Sequence, residues 1–72
     1  MPKFPVLKSK EIIRVLKKVG YEEIRTVGSH IHFKRGNNLV TVPFHNTDLK
    51  IKTLKSIISQ AGITVGELKN LL

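Results

Sequence analysis

The fold is decided by residues 30–42, which read His-Ile-His-Phe-Lys-Arg-Gly-Asn-Asn-Leu-Val-Thr-Val. Polar and apolar side chains alternate with period two in the first six of these residues, which is typical of a strand covered on one face only. Gly36 and Asn37 then supply a two-residue turn, after which an apolar segment resumes. The stretch therefore predicts an antiparallel hairpin whose inner face carries Ile31 and Phe33.

The turn also predicts the register of this hairpin. With a turn at residues 36–37, His30 lies opposite Pro43 and His32 lies opposite Thr41. A turn placed one residue later shifts the partners by two and leaves the faces unchanged. The residues expected on the outer face of the first strand are His30, His32 and Lys34.

A helix and a further strand are predicted before the hairpin. Ser9 is a good N-cap for a helix over residues 10–19, and Gly20 is placed to end that helix in a left-handed conformation. Residues 21–27 then read as a weak strand, in which Ile24 is the inward residue.

A second helix is predicted after a loop over residues 44–48, with Gly62 as its C-cap. A Thr-x-x-Glu capping box at residues 64–67 opens a short last helix. The apolar stripe of the second helix consists of Ile51, Leu54, Ile57, Ile58 and Ala61. Its polar side carries Lys50, Lys52 and Lys55.

Two helices with one apolar stripe each need a shared surface, and a three-stranded antiparallel sheet with one apolar face supplies it. We therefore predict an α+β protein with the order α-β-β-β-α, both helices on one face of the sheet, and a short C-terminal helix. The length predicts a single domain over residues 1–72. The second face of the sheet stays open to water or to a ligand.

The chain is strongly basic, with thirteen Lys and Arg against five Asp and Glu and a net charge of +8. This charge attracts a polyanion, which can be nucleic acid, an acidic protein or an anionic membrane surface. The lack of cysteine excludes disulfides and thiolate metal sites and fits a reducing cytoplasm. Because neither a membrane span nor a signal peptide is recognisable, we expect a soluble, cytoplasmic protein.

Several segments resemble the HicA (YcfA-like) family of toxin endoribonucleases. They are Gly-Ser-His at residues 28–30 with the alternating strand that follows, and Val-Pro-Phe-His at residues 42–45. Residues 9–21 resemble the first helix of that family with its Gly-aromatic exit, and residues 54–63 resemble its second helix. The resemblance covers nearly the whole chain, and the order and spacing of these segments make it specific.

This resemblance implies a double-stranded-RNA-binding-like fold and cleavage of messenger RNA without a metal or another cofactor. It places the catalytic histidine at His30, and it implies a HicB-type antitoxin that covers the active face. Imidazole suits the chemistry because it gives and takes protons near neutral pH, while RNA supplies its own nucleophile, the 2′-hydroxyl.

Other residues have a functional interpretation beside a structural one. Gly28 permits a tight turn, and Ser29 can orient the imidazole or donate to a phosphate. The alternative is that both residues simply form an exposed turn. His32 and His45 complete a set of three histidines that also suggests zinc, which we do not favour because no carboxylate is placed to support them. We expect basic residues to contact phosphate, namely Lys34, Arg35, Lys50, Lys52 and Lys55. The alternative is that these side chains only form a solvated surface.

Two further functions stay open. A non-catalytic RNA-binding module of the same fold would use His30 and the lysines only to contact phosphates and 2′-hydroxyls. A membrane-surface protein would use the lysine-rich second helix to meet anionic lipid.

Overall fold

A computed structural model describes residues 5–45 and 48–72 and has the predicted order of elements. In chain order these are α1 Ser9–Lys18, β1 Glu22–Val27, β2 His30–Arg35, β3 Asn38–Pro43, α2 Ile51–Ala61 and α3 Val65–Leu71. The α+β class and the double-stranded-RNA-binding-like arrangement are confirmed. Residues 46–47 of the predicted loop lie outside the described residues. None of the helices described is long and apolar enough to cross a membrane.

The three strands form one antiparallel sheet in the order β1-β2-β3, with β2 in the centre. Its β2–β3 half has the predicted register, since His30 pairs with Pro43 and His32 pairs with Thr41. Gly36 has a φ of 59°, the left-handed conformation that the two-residue hairpin turn requires. The position of the turn at residues 36–37 is thereby confirmed.

The core lies between one face of the sheet and the helices. Phe33, Val40 and Val42 are its fully buried strand residues, and Ile31 packs against it while partly exposed. The helices contribute Ile12, Val15, Leu16, Leu54, Ile57, Ile58, Ala61 and Leu68. Because the helices bury their apolar sides on this face, no described residue covers the opposite face of the sheet.

Three predicted helix ends are confirmed. Gly20 follows α1 with a φ of 98°, and Gly62 follows α2 with a φ of 73°. The Thr64 hydroxyl accepts the Glu67 N–H at 3.1 Å, and the Glu67 carboxylate accepts the Thr64 N–H at 3.0 Å. This reciprocal pair is the capping box expected at the start of α3.

The predicted cap of α1 is wrong. Ser9 is the first residue of α1, and Lys8 is the N-cap. The Ser9 hydroxyl does not cap the helix because it is bonded to the end of β3 and to the residue that follows Phe44. Glu11 stabilises the start of the helix instead, since its carboxylate accepts the Lys8 N–H at 3.1 Å.

Ile24 is not an inward residue, in contrast to the prediction. Its side chain is 50% exposed, because β1 is an edge strand with a bulge between Glu23 and Arg25. Tyr21 supplies the buried side chain on this side of the sheet. Its hydroxyl donates to the Ala61 carbonyl at 3.0 Å, which ties the end of α1 to α2.

Ile51 is also wrongly predicted as a core residue. It is 59% exposed, whereas Leu54, one turn later, is buried. The first turn of α2 therefore precedes the part of the helix that packs on the sheet.

Candidate active site

The uncovered face of the sheet is organised in rows, because residues paired across antiparallel strands project on the same side. From one end of the sheet, the rows are Val27–His30–Pro43, Arg25–His32–Thr41 and Glu22–Lys34–Leu39. We call these residues the open face. His30 and His32 follow each other along β2, about 7 Å apart along the strand.

His30 lies at the beginning of the central strand, with an exposed side chain. Its partners on the two neighbouring strands are Val27 and Pro43, which carry no charge. Neither ring nitrogen bonds to a residue of the described ranges. Both nitrogens are therefore accessible to a ligand on the open face.

The turn that precedes His30 is formed by Gly28 and Ser29. Gly28 has a φ of 59°, and no atom lies within 4 Å of the position that a Cβ would occupy. Backbone conformation, not space, therefore favours glycine here. The Ser29 carbonyl accepts the Phe44 N–H at 2.6 Å, which extends the β2–β3 pairing past His30. Its hydroxyl bonds to no residue in the described ranges.

His32 and Thr41 contact each other across the strands, as their predicted pairing requires. The Nδ1 atom of His32 lies 3.0 Å from the Thr41 hydroxyl, and both side chains are half-buried. This contact orients the imidazole ring and leaves its Nε2 atom for a second partner.

Arg25 belongs to the open face but was not singled out from the sequence. Arg25 on β1 and Thr41 on β3 flank His32 on β2, so this row carries a guanidinium group. Arg25 could have been identified from the two-residue turn at residues 28–29. In a hairpin with such a turn, the third residue before the turn pairs with the third residue after it, which here are Arg25 and His32.

Arg35 is not on the open face. Its guanidinium donates to the Val19 carbonyl at 2.9 Å and lies 4.9 Å from the centre of the Tyr21 ring. Both contacts are on the side of the helices, so the structure separates Arg35 from His30.

The segment after β3 brings two more predicted residues near the His30 row. His45 and Lys50 line a pocket of about 310 Å³ together with Pro43, the strand partner of His30. Lys52 and Lys55, the two other lysines proposed on α2, are exposed and do not line this pocket.

Two imidazoles and two basic side chains thus lie on the open face. They are His30, His32, Arg25 and Lys34. Groups of these types can transfer protons beside a bound phosphate. Across residues 5–45 and 48–72, His, Cys, Asp and Glu side chains form no group of three or more that could hold a metal ion.

Comparison with known protein families gives a match to the HicA toxin of bacterial toxin–antitoxin systems over residues 9–63. The matched range includes α1, the whole sheet and α2, and it contains the open face. No curated protein sequence matches the chain. Because the family match spans well over half of the chain, the protein belongs to the HicA family of toxins, and this membership implies an antitoxin partner.

Proposed function

We propose that the protein is an endoribonuclease toxin that cleaves messenger RNA without a metal ion, with His30 as its catalytic histidine. The observation that carries this proposal is the exposed His30 imidazole at the start of the central strand. His32 and Arg25 lie in the next row of the same face. Membership in a family of toxins supports the same function.

The reaction requires proton transfer at two oxygens of the RNA. A base takes the proton of the 2′-hydroxyl as that oxygen bonds to phosphorus, and an acid protonates the 5′-oxygen as its bond to phosphorus breaks. The products are a 2′,3′-cyclic phosphate and a 5′-hydroxyl. His30 performs one of these transfers, and a positioned acid or base typically raises the rate by about 10²–10⁴.

The neighbours of His30 supply the remaining functions. His32 has one ring nitrogen held by Thr41, so its Nε2 atom serves as the second acid–base group. Arg25 holds the phosphate and stabilises the negative charge that develops on its oxygens in the transition state. Ser29 donates its hydroxyl to a phosphate oxygen at the other end of the site.

We further propose that a HicB-type antitoxin inhibits the enzyme by covering the open face. A net charge of +8 favours association with an acidic partner. An antitoxin bound over His30 and His32 excludes RNA, because both ligands require the same exposed rows. Antitoxin and RNA should therefore compete for the protein, and RNA that stays bound in the complex would contradict this mode of inhibition.

A second candidate is an RNA-binding module without catalysis. One observation favours it, since no described residue orients the His30 ring through a hydrogen bond. Such a module would bind RNA with the same cations and leave it intact.

Cleavage assays in EDTA decide between these candidates. The purified protein is incubated with an end-labelled messenger RNA fragment and with the same strand carrying 2′-deoxyribose throughout. We expect the ribose strand alone to be cut, with 5′-hydroxyl ends. An intact ribose strand supports the binding module, and cleavage that is lost in EDTA but restored by zinc contradicts a metal-independent reaction.

A further inference from the structure

A second pocket lies beside the open face and has no role in the mechanism above. Its volume is about 250 Å³, and it is lined by Lys8, Lys10, Phe44 and His45. One wall is the start of α1, and the other is the segment that follows β3.

This pocket begins directly beyond the row of His30. Pro43 is the strand partner of His30, and Phe44 is the next residue along the chain. The Phe44 N–H donates to the Ser29 carbonyl at 2.6 Å. Phe44 is therefore one residue beyond the strand partner of His30, and the pocket lies at the same end of the sheet as the His30 row.

The two walls of the pocket are joined by one buried residue, Ser9. Its hydroxyl donates to the Pro43 carbonyl at 2.7 Å and accepts the His45 N–H at 3.2 Å. Ser9 also lies between Lys8 and Lys10 in the chain. The position of the basic wall relative to the aromatic wall is thus set by a residue that is 0% exposed.

The lining has the chemistry of a nucleotide site. Phe44 is 37% exposed, whereas Tyr21 and Phe33, the other Phe and Tyr residues in the described ranges, are buried in the core. Aromatic rings bind single-stranded bases by stacking, and lysines follow the phosphate backbone. Glu11 follows Lys10 in the chain, and its carboxylate accepts the Lys8 N–H at 3.1 Å.

We propose that this pocket is a nucleotide subsite for single-stranded RNA. Phe44 stacks on one base next to the cleaved bond, while Lys8 and Lys10 bind its phosphate. The inference rests on the proposed function in that RNA is the ligand of the neighbouring site. It adds a binding position outside the open face, on α1 and the segment after β3.

The first test measures the aromatic contact by binding alone. All variants carry His30→Ala to prevent cleavage, and the probe is a fluorescein-labelled single-stranded hexaribonucleotide of mixed sequence. We expect Phe44→Leu to weaken binding by at least about fivefold, the lower end of the range for one stacked base. Phe44→Tyr keeps the ring face and should bind within about twofold of the Phe44 protein.

The second test measures the phosphate contact and does not alter a packed residue. Lys10→Gln and Lys17→Gln remove the same charge from the same helix, two turns apart, and both lysines are exposed. For Lys10→Gln we expect the slope of log affinity against log salt to become shallower by about 0.7. Lys17→Gln should leave the slope unchanged.

The outcomes separate this inference from the proposed catalysis. Equal binding by Phe44→Leu and Phe44→Tyr, or equal slopes for the two lysine variants, overturns the subsite while cleavage by the parent protein stands. A parent protein that binds but does not cut RNA overturns the catalysis, and the binding tests still decide the subsite.

Discussion

Ser9 shows how one buried hydroxyl joins separate parts of this small protein. It is 0% exposed and bonds to the Pro43 carbonyl and to the His45 N–H. Ser9→Ala leaves both backbone groups without this partner inside the protein. We expect the free energy of unfolding to fall by about 1–3 kcal/mol, as measured by urea denaturation.

Ser59→Ala is the matched control, because Ser59 is an exposed residue of α2. Its effect should stay within about 0.5 kcal/mol. Two variants of equal stability would contradict the structural role assigned to Ser9.

Individual side chains are also where prediction from sequence is weakest. A serine before an amphipathic segment suits an N-cap, but the same hydroxyl can bond to a distant strand end, and local sequence does not distinguish the two. Arg35 is a similar case. Its position beside a turn suggests a free cation, whereas its contacts to Val19 and Tyr21 depend on the packing of α1 on the sheet.

At the scale of elements, β1 contributes less to the core than its apolar residues suggest. Ile24 is half exposed on β1, whereas Ile57 is 1% exposed on α2. We expect Ile24→Ala to lower the free energy of unfolding by less than about 1 kcal/mol and Ile57→Ala to lower it by about 2–5 kcal/mol. Urea denaturation of both variants checks the difference, and a similar cost at the two positions would argue against the bulged, exposed β1.

The elements themselves were largely predictable because their signals are local. The β2–β3 register follows from a two-residue turn and period-two alternation, and the ends of the helices follow from Gly20, Gly62 and Thr64. The bulge in β1 was not predictable, because it leaves no fixed pattern in a strand with few apolar residues. The exposure of Ile51 was also not predictable, because the apolar stripe of α2 does not reveal at which residue the helix begins to contact the sheet.

At the scale of the whole molecule, the sequence predicted the open face because it predicted the sheet. Once the helices cover one side, the alternation in β2 places His30 and His32 on the other. The family resemblance, not periodicity, singled out His30 among the three histidines. The pocket between α1 and the segment after β3 required the tertiary structure, because its walls are more than thirty residues apart in the chain.

The charge of the molecule makes a further prediction about RNA binding. With thirteen cationic and five anionic side chains, affinity for single-stranded RNA should fall linearly on a log–log scale with salt. The expected slope is about −0.7 for each phosphate that the protein neutralises. Titrations over a range of salt concentrations test this, and an affinity independent of salt would count against binding through the phosphate backbone.

The proposed function depends on proton transfer by the exposed imidazole of His30 during RNA cleavage. The most direct measurement compares the parent protein with His30→Ala, prepared in parallel, in single-turnover cleavage and in binding to the same RNA. We predict a cleavage rate about 10²–10⁴ lower for His30→Ala, with an RNA affinity within about threefold of the parent. A variant that cleaves as fast as the parent while binding equally well would contradict the account.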